Sequence, residues 1–261
     1  MEKVRPPVVA GQFYPADPKE LKQQIEAFLS AVSLPQTTGR LKALVVPHAG
    51  YIFSGPVAAA GYQLAGRHWP KSSHIFLLGS SHRYLLDQPS LASFTAWLTP
   101  LGEVPVKPFL TDRLPFADEA HLYEHSLEVQ LPFLQTVVKD FTITPILLNQ
   151  PEDAAPLAVL LSDLIGKNNF IVVSSDLSHY YPYDQAVKID ALANQSIPQL
   201  DIKTVESEEV EACGKPAILT LLHLAKQKGW QGQLLDYKNS GDTAGDKSQV
   251  VGYGCYGFFQ S

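Results

Sequence analysis

The sequence predicts an α/β fold with a central, mostly parallel sheet flanked by helices, and two observations support this prediction. First, three short apolar runs at residues 44–46, 75–79 and 170–173 are each followed by a polar cluster that contains histidine. Such runs are typical of strands that are buried on both faces. Second, these runs alternate with helical patterns along the chain, which indicates a single α/β domain over residues 1–261.

The first half of the chain shows this alternation element by element. Asp17 and Pro18 resemble an N-cap and a first helical residue. Leu127, Leu131, Leu134 and Val138 share one face of a later helical pattern. The predicted elements are helix 19–31, strand 41–46, a helix of small residues that opens at residue 55, strands 75–79 and 90–98, and helix 125–138.

The second half continues the alternation. Gly229 is expected to end a helix that opens at Cys213, because glycine readily adopts the left-handed conformation found at helix ends. The predicted elements are strand 141–148, helix 152–165, strand 170–174, helices 183–197 and 213–227, and strands 232–238 and 250–259.

The composition favours a globular protein and argues against two classes of partner. A hydrophobic fraction of 45% with 18% charged residues predicts a globular protein with a sizeable core. The net charge of −6 and the lack of a lysine/arginine cluster argue against nucleic acid and membrane as partners. Because there is no apolar leader, no apolar run of about 18 residues and no disulfide framework, we expect a cytoplasmic protein.

Histidines follow three of the predicted strands, at the edge of an α/β sheet where ligands bind. If their strands are neighbours, about 4.8 Å apart, His48 and His82 can converge on one metal ion. Asp176 and His179 are three residues apart, which suits an acid that orients an imidazole for proton transfer. The alternatives are a buried, hydrogen-bonded His48, a helix-capping Asp176 and a simply exposed His179.

Two further clusters are more ambiguous. Glu124, His125 and Glu128 are candidates for the wall of a pocket, although acids at a solvated helix start explain both glutamates equally well. Cys213 lies at a helix N-terminus, where the dipole and the nearby Lys215 favour a thiolate, but an inert buried thiol also explains it. Cys255 is predicted to be a small core residue.

Taken together, several separated motifs resemble the Memo family, also called AmmeMemoRadiSam system protein B. The resemblance runs from about residue 4 to residue 259. The motifs that carry it are Arg5-Pro6-Pro7-Val8-Val9-Ala10-Gly11-Gln12-Phe13-Tyr14-Pro15, Pro47-His48-Ala49-Gly50-Tyr51 with Ser54-Gly55, Glu124-His125-Ser126-Leu127-Glu128, Ser174-Ser175-Asp176-Leu177-Ser178-His179 and Gly252-Tyr253-Gly254.

The resemblance implies a fold like that of the class III (LigB-type) extradiol dioxygenases, which hold non-haem iron with two histidines and a carboxylate. Memo proteins offer a cysteine in place of the carboxylate. By matching motif, His48, His82 and Cys213 would be the metal ligands, with Asp176 and His179 as catalytic residues of the same pocket. Tyr51, Glu124, His125 and Glu128 would line that pocket. A thiolate in the ligand set suits iron or copper, with zinc also possible.

Three functions follow from the resemblance. The first is a metal-binding protein with a redox role, or an accessory role in a modification pathway beside a radical SAM partner. The second is a non-catalytic module that binds a phosphopeptide or another anion in the same pocket. The third is an active dioxygenase that acts on a small catechol-like molecule.

Overall fold

The computed structural model describes residues 3–261. Its strands are β1 (Val4–Arg5), β2 (Arg40–Val46), β3 (His74–Gly79), β4 (Ser90–Leu91), β5 (Ala96–Thr99), β6 (Gly102–Pro105), β7 (Thr142–Leu147), β8 (Asn169–Ser174), β9 (His179–Tyr181), β10 (Gln231–Asn239) and β11 (Val250–Gln260). Its α-helices are α1 (Pro18–Ala31), α2 (Tyr51–His68), α3 (Asp118–Leu122), α4 (Leu131–Val137), α5 (Ala154–Ser162), α6 (Tyr183–Ser196), α7 (Ile202–Glu206), α8 (Lys215–Lys228) and α9 (Ser240–Thr243), with 3-10 turns at Glu128–Gln130 and Pro151–Asp153.

One mixed sheet organises the molecule. Its strand order is β10-β11-β2-β8-β3-β7-β4, and β9 pairs with β11 beside this path. The four central strands β2, β8, β3 and β7 run parallel, whereas the pairs toward both edges are antiparallel. A second sheet of three short strands has the order β1-β5-β6. The predicted α/β fold, parallel at its centre and flanked by helices, is confirmed.

The central strands are apolar because both of their faces are covered. In β2, Leu44 and Val46 belong to a core cluster with α1, α2 and α4, whereas Ala43 and Val45 belong to a cluster with α5 and α8. Alternate residues of a strand point to opposite faces, so one strand contributes to both clusters. This two-sided burial explains why the strands appear in the sequence as continuous apolar runs.

Most predicted elements are present, and their end signals act as expected. The Asp17 carboxylate accepts hydrogen bonds from the backbone nitrogens of Lys19 and Glu20, both at 2.9 Å, and so caps α1. Gly229 ends α8 in the left-handed conformation, with φ of 66°. Among residues 3–261, no helix combines the length and apolar character that crossing a bilayer requires.

Several predicted boundaries were wrong, and three of them bear on the architecture. Helix α2 begins at Tyr51 and contains Pro56, which was expected within the opening turn. The single strand expected over 90–98 is divided between β4 of the large sheet and β5 of the small one. The helix expected over 125–138 starts only with the 3-10 turn at residue 128, because the backbone at Ser126 is held by the Glu124 carboxylate instead.

The strand order also corrects an assumption about the site. His48 follows β2 and His82 follows β3, but these strands are not neighbours, since β8 lies between them. The two imidazoles therefore reach each other across the end of β8. This places Ser174, the last residue of β8, directly between the loops that carry the two histidines.

Candidate metal centre

The hydrogen bonds of His48 define which ring nitrogen faces the pocket. Its Nδ1 lies 2.9 Å from the Ser174 hydroxyl. That hydroxyl donates its own hydrogen to the carbonyl of Ser126 and accepts a hydrogen bond from Gln130 Nε2 at 2.8 Å. A hydroxyl has one hydrogen and two lone pairs, so Nδ1 of His48 must be the donor. Nε2 is thereby left with a free lone pair.

Burial keeps this imidazole neutral. His48 is 2% exposed, and burial, with a smaller contribution from the charge of His82, lowers the pKa of His48 to about 3. A neutral imidazole with a free Nε2 is the form that binds metal ions. The hydrogen-bond network and the burial therefore hold the ring in a form that could bind a metal ion.

His82 is oriented by Glu124. The Glu124 carboxylate accepts hydrogen bonds from the His82 backbone nitrogen at 2.7 Å and from its Nδ1 at 2.9 Å. Burial alone would raise the pKa of Glu124, but hydrogen bonding to His82 and the charges of His82 and His125 lower it to about 2. A carboxylate behind the distal ring nitrogen is the usual support of a metal-binding histidine. It leaves Nε2 of His82 free.

A third imidazole completes the cluster. The ring centroids of His48 and His82 are 5.3 Å apart, those of His48 and His125 are 5.3 Å apart, and those of His82 and His125 are 4.7 Å apart. Burial, followed by the charge of His48, lowers the pKa of His125 to about 4. Burial would lower the pKa of His82, but the hydrogen bond and the charge of Glu124 raise it. Two largely neutral imidazoles and one that is protonated more readily therefore face one another at the carboxyl ends of the central strands.

Cys213 lies beside His48, and its surroundings determine the protonation of its thiol. Its Sγ is 3.3 Å from His48 Nε2 and accepts a hydrogen bond from the Asp176 backbone nitrogen at 3.2 Å. Burial, with the Asp176 carboxylate, raises the pKa of the thiol to about 12, which favours the neutral thiol, the second of the two interpretations of Cys213. Helix α8 starts only at Lys215, whose Nζ bonds the Ser207 carbonyl at 2.8 Å.

These side chains fit a metal ion by geometry and by chemistry. One ligand atom from each of His48, His82 and Cys213 lies within 4.8 Å of the others. Ligands of a tetrahedral ion lie roughly 3.5 Å apart, given bonds of about 2.0–2.3 Å, so only small shifts are needed. Nitrogen and sulfur donors suit copper, iron and zinc.

A second group of donors is less suitable. His82, Glu124 and His125 also lie within 4.8 Å of one another. However, the Glu124 carboxylate already accepts four contacts, from the backbone and Nδ1 of His82, from the Ser126 backbone and from His125 Nδ1 at 3.2 Å. Glu124 is therefore better suited to orient histidines than to bind an ion itself.

Asp176 and His179 adjoin the same cluster. Asp176 accepts a hydrogen bond from the His48 backbone nitrogen at 2.7 Å, and its second oxygen lies 4.0 Å from His48 Nε2. Burial raises the pKa of Asp176. The carboxylate thus caps the His48 loop rather than a following helix, since residues 175–178 are not helical. His179 begins β9, pairs with Val251 and is half-buried.

An open pocket of about 690 Å³ leads to the imidazoles. Its polar wall includes the three clustered histidines with Asp176 and His179, and its apolar wall includes Phe13, Phe53, Val251 and Tyr253. Cys213 lines another cavity of about 380 Å³, with Leu177 and Glu211, and His179 lines both cavities. The histidines of the candidate centre therefore face the larger cavity, whereas its cysteine faces the smaller one.

Three predicted pocket residues do not line this wall: Glu124 lies behind His82, and Tyr51 and Glu128 lie in the core. Tyr51 is buried in the core, where its hydroxyl donates to the Val129 carbonyl at 2.7 Å. Glu128 is fully buried and holds the N-terminal segment, pairing with Arg5 at 2.6 Å and accepting the Tyr14 hydroxyl at 2.7 Å. The solvated helix start that was the alternative for Glu124 and Glu128 is also wrong, because both are fully buried.

Sequence reasoning did not assign functions to Ser174 and Gln130. Ser174 determines which nitrogen of His48 is free, and Gln130 occupies the remaining lone pair of the serine hydroxyl. Ser174 had one recognisable signal, since it ends a central strand directly before the Asp176 cluster. Gln130 had none, because its contact depends on the packing of the 3-10 turn against β8.

The fold and the site together define the class of this protein. It is an α/β protein with a candidate metal centre, formed by two histidines and a cysteine, at the carboxyl ends of its central strands. Residues 5–256 match the family model of the Memo-like proteins, and the chain belongs to that family. It is 43% identical to a MEMO1 family protein of Sulfolobus acidocaldarius, over 96% of this chain and 97% of that protein. A MEMO1 family protein of Saccharolobus solfataricus is 39% identical, over 95% and 97% of the two chains.

The fold is also similar to a solved structure. The crystal structure of the uncharacterized protein JW3007 from Escherichia coli K12 superposes with a TM-score of 0.55 and 14% sequence identity. The match covers 83% of this chain and 99% of that one. At this level of identity the similarity concerns the fold alone.

Proposed function

We propose that this protein binds iron or copper, with zinc as a further candidate, on His48, His82 and Cys213. The observation that supports the proposal is the convergence of their three ligand atoms within 4.8 Å. Ser174 and Glu124 each occupy the other nitrogen of one histidine, so both free nitrogens are available for an ion. Iron or copper bound there would supply one-electron redox chemistry.

The residues around this centre suit proton handling. Binding of a metal replaces the proton of the Cys213 thiol, and that proton must leave through a neighbouring group. Asp176 is our candidate for this, since its carboxylate lies 4.0 Å from His48 Nε2, which in turn lies 3.3 Å from Sγ. His179 lines the pocket of about 690 Å³ and is our candidate for proton exchange with a bound small molecule.

The two alternative functions use the same pocket. A dioxygenase would place a catechol-like ring between Phe13, Phe53 and the histidines, where the pocket volume of about 690 Å³ is sufficient. A phosphopeptide-binding module is less well supported. Within residues 3–261 the pocket wall contains Asp176 and Asp246 but no lysine or arginine, so a phosphate would have only imidazoles as cationic partners.

Elemental analysis of protein purified anaerobically under reducing conditions tests the proposal. The wild-type protein is expected to carry about one iron or copper per chain, and Cys213→Ala is expected to lose most of it, because one of three ligands is removed. Cys255→Ala is the matched control, since the second free thiol is fully buried in the core away from the cluster.

The control distinguishes the effect of removing any thiol from the effect of removing a metal ligand. Equal metal content in Cys213→Ala and Cys255→Ala would contradict the ligand assignment. A wild-type protein that is metal-free and takes up no added iron, copper or zinc would contradict metal binding altogether. Oxygen consumption by iron-loaded protein with a panel of catechols then distinguishes a dioxygenase from another redox role.

We also propose a cellular compartment and a partner for this protein. Both cysteines are free thiols, which accords with a reducing, cytoplasmic compartment. The accessory role beside a radical SAM protein rests on the family resemblance. It predicts that metal content or metal release changes when the two purified proteins are mixed anaerobically.

A further inference from the structure

A further cavity, of about 270 Å³, is lined by four cationic side chains. It lies at the amino ends of the parallel strands. Its wall consists of Arg40, Lys42, Ile165, Gly166, Lys167, Lys228, Trp230 and Gln260. No acidic residue is among these, although acidic residues outnumber basic ones in the chain, 26 to 20. We call this the basic cavity.

The four cations are not neutralised within the protein. In the part of the chain that the structure describes, none of Arg40, Lys42, Lys167 and Lys228 forms an ion pair with a carboxylate. Four uncompensated positive charges around one small cavity repel one another. Their mutual repulsion is relieved when an anion occupies the cavity.

Lys42 shows that this arrangement is built into the fold. It is only 2% exposed, and its Nζ is held by the Gly166 carbonyl at 2.5 Å. Burial, together with the charges of Arg40 and Lys228, lowers the pKa of Lys42 to about 8. A buried lysine is rare without an anionic partner.

The loop before β8 positions two of the cations. The Arg40 guanidinium donates to the Lys167 carbonyl at 2.7 Å, and Lys42 donates to Gly166 in the same loop. Arg40 and Lys42 lie on either side of Leu41 in β2, where the register against β11 shifts, and both side chains line the cavity. The cationic groups are therefore ordered before any ligand binds, which reduces the entropic cost of binding.

The basic cavity is distinct from the candidate metal centre. It lies at the start of β2, whereas His48 follows the end of that strand. A strand of seven residues spans roughly 20 Å, at about 3.3 Å per residue. The two sites share no lining residue, so a ligand in one does not touch the other.

We propose that the basic cavity binds a small, multiply charged oxyanion of the phosphate type, either free or as the phosphate group of a small metabolite. Guanidinium and ammonium groups are the usual partners of phosphate oxygens. The volume of about 270 Å³ suits a ligand of a few heavy atoms rather than a large cofactor. This proposal is independent of metal binding.

Calorimetric titration with pyrophosphate at constant ionic strength tests the proposal. One pyrophosphate per wild-type chain is expected to bind, and its affinity is expected to fall as salt is raised. The double variant Lys167→Gln/Lys228→Gln should bind at least about tenfold more weakly, because two charge-assisted contacts are lost. The matched control is Lys188→Gln/Lys203→Gln, which removes two exposed lysines from α6 and α7.

Thermal unfolding of the same proteins provides a second measurement. Pyrophosphate should raise the unfolding temperature of the wild type and of the control variant, and should not raise that of the double variant. Absence of binding to the wild type, or equal binding by both double variants, overturns the proposal. Tighter binding of citrate than of pyrophosphate overturns the assignment to phosphate-type anions. Inorganic phosphate and a phosphorylated sugar distinguish a free anion from a phosphate-bearing metabolite.

Discussion

At the scale of single residues, this protein uses buried carboxylates to hold loops and side chains in position. Glu124 orients His82, and Asp176 holds the backbone of His48. Glu128 binds the N-terminal segment through Arg5, two backbone nitrogens and Tyr14. Because a buried carboxylate is stable only with such partners, each of these residues couples parts of the chain that are distant in sequence.

The Arg5–Glu128 pair permits a direct test of this role. Both side chains are 0% exposed, so Glu128→Ala leaves the Arg5 guanidinium buried without its counter-charge. We expect a loss of about 3–5 kcal/mol in the free energy of unfolding, measured by urea denaturation.

An exposed ion pair provides the control for that substitution. Glu26 lies 3.9 Å from Lys22 on the surface of α1. Glu26→Ala should cost no more than about 0.5 kcal/mol, since solvent screens this pair. If Glu128→Ala and Glu26→Ala lost similar free energies of unfolding, burial would not increase the contribution of the Arg5–Glu128 pair to stability.

At the scale of elements, helix ends are determined by local chemistry, whereas strand partners are not. Asp17 caps α1 and Gly229 ends α8 through contacts within a few residues. By contrast, β4 and β5 are close in sequence but join different sheets. A cap needs only its own neighbours, but a strand must also find its partner in the folded chain.

The cap of α1 leads to a prediction at this scale. Asp17→Ala removes the acceptor of two backbone hydrogen bonds, and we expect a loss of about 1 kcal/mol in the free energy of unfolding. Urea denaturation would measure it. Asp112→Ala, at a highly exposed loop position, should change stability by less than about 0.5 kcal/mol. An Asp17→Ala variant as stable as wild type would mean that the helix is held by packing alone.

At the scale of the whole molecule, one sheet separates two sites of different chemistry. The histidine cluster lies at the carboxyl ends of the parallel strands, and the basic cavity lies at their amino ends. The same core also buries histidines outside both sites. Burial is the main cause that lowers the pKa values of His74 and His121 to about 4, so both are neutral in the folded protein near pH 7.

These buried histidines predict how stability depends on pH. In the unfolded chain a histidine titrates near pH 6.5. Between about pH 6.5 and 4 the unfolded state therefore binds more protons, and the folded state loses stability as the pH falls. Each of His74 and His121 contributes up to about 3 kcal/mol to this loss. Burial raises the pKa values of Asp176 and Asp190, which act in the opposite direction.

The contribution of His74 can be isolated with His74→Gln, which keeps polar groups near the hydroxyls of Thr142 and Thr144. The difference in unfolding free energy between wild type and variant should be constant above pH 7 and should narrow from pH 6.5 to pH 4.5. Urea denaturation at a series of pH values measures it. A difference that stays constant down to pH 4.5 would show that His74 does not cause the acid sensitivity.

Local signals in the sequence were sufficient for much of the fold. The apolar runs predicted the central strands, Asp17 with Pro18 predicted the start of α1, and Gly229 predicted the end of α8. The same runs placed His48 and His82 at one edge of the sheet. These features depend on periodicity, capping and backbone preference within a few residues, so they can be recognised without knowledge of the folded structure.

Only the tertiary structure decided how these parts meet. The insertion of β8 between β2 and β3, the contact of Cys213 with His48 and the buried pair of Arg5 with Glu128 all join residues more than 90 positions apart. The basic cavity likewise gathers cations that form no cluster in the sequence. Such contacts depend on the packing of the whole chain, because each of them is stable only when many others have formed, and no local pattern encodes them.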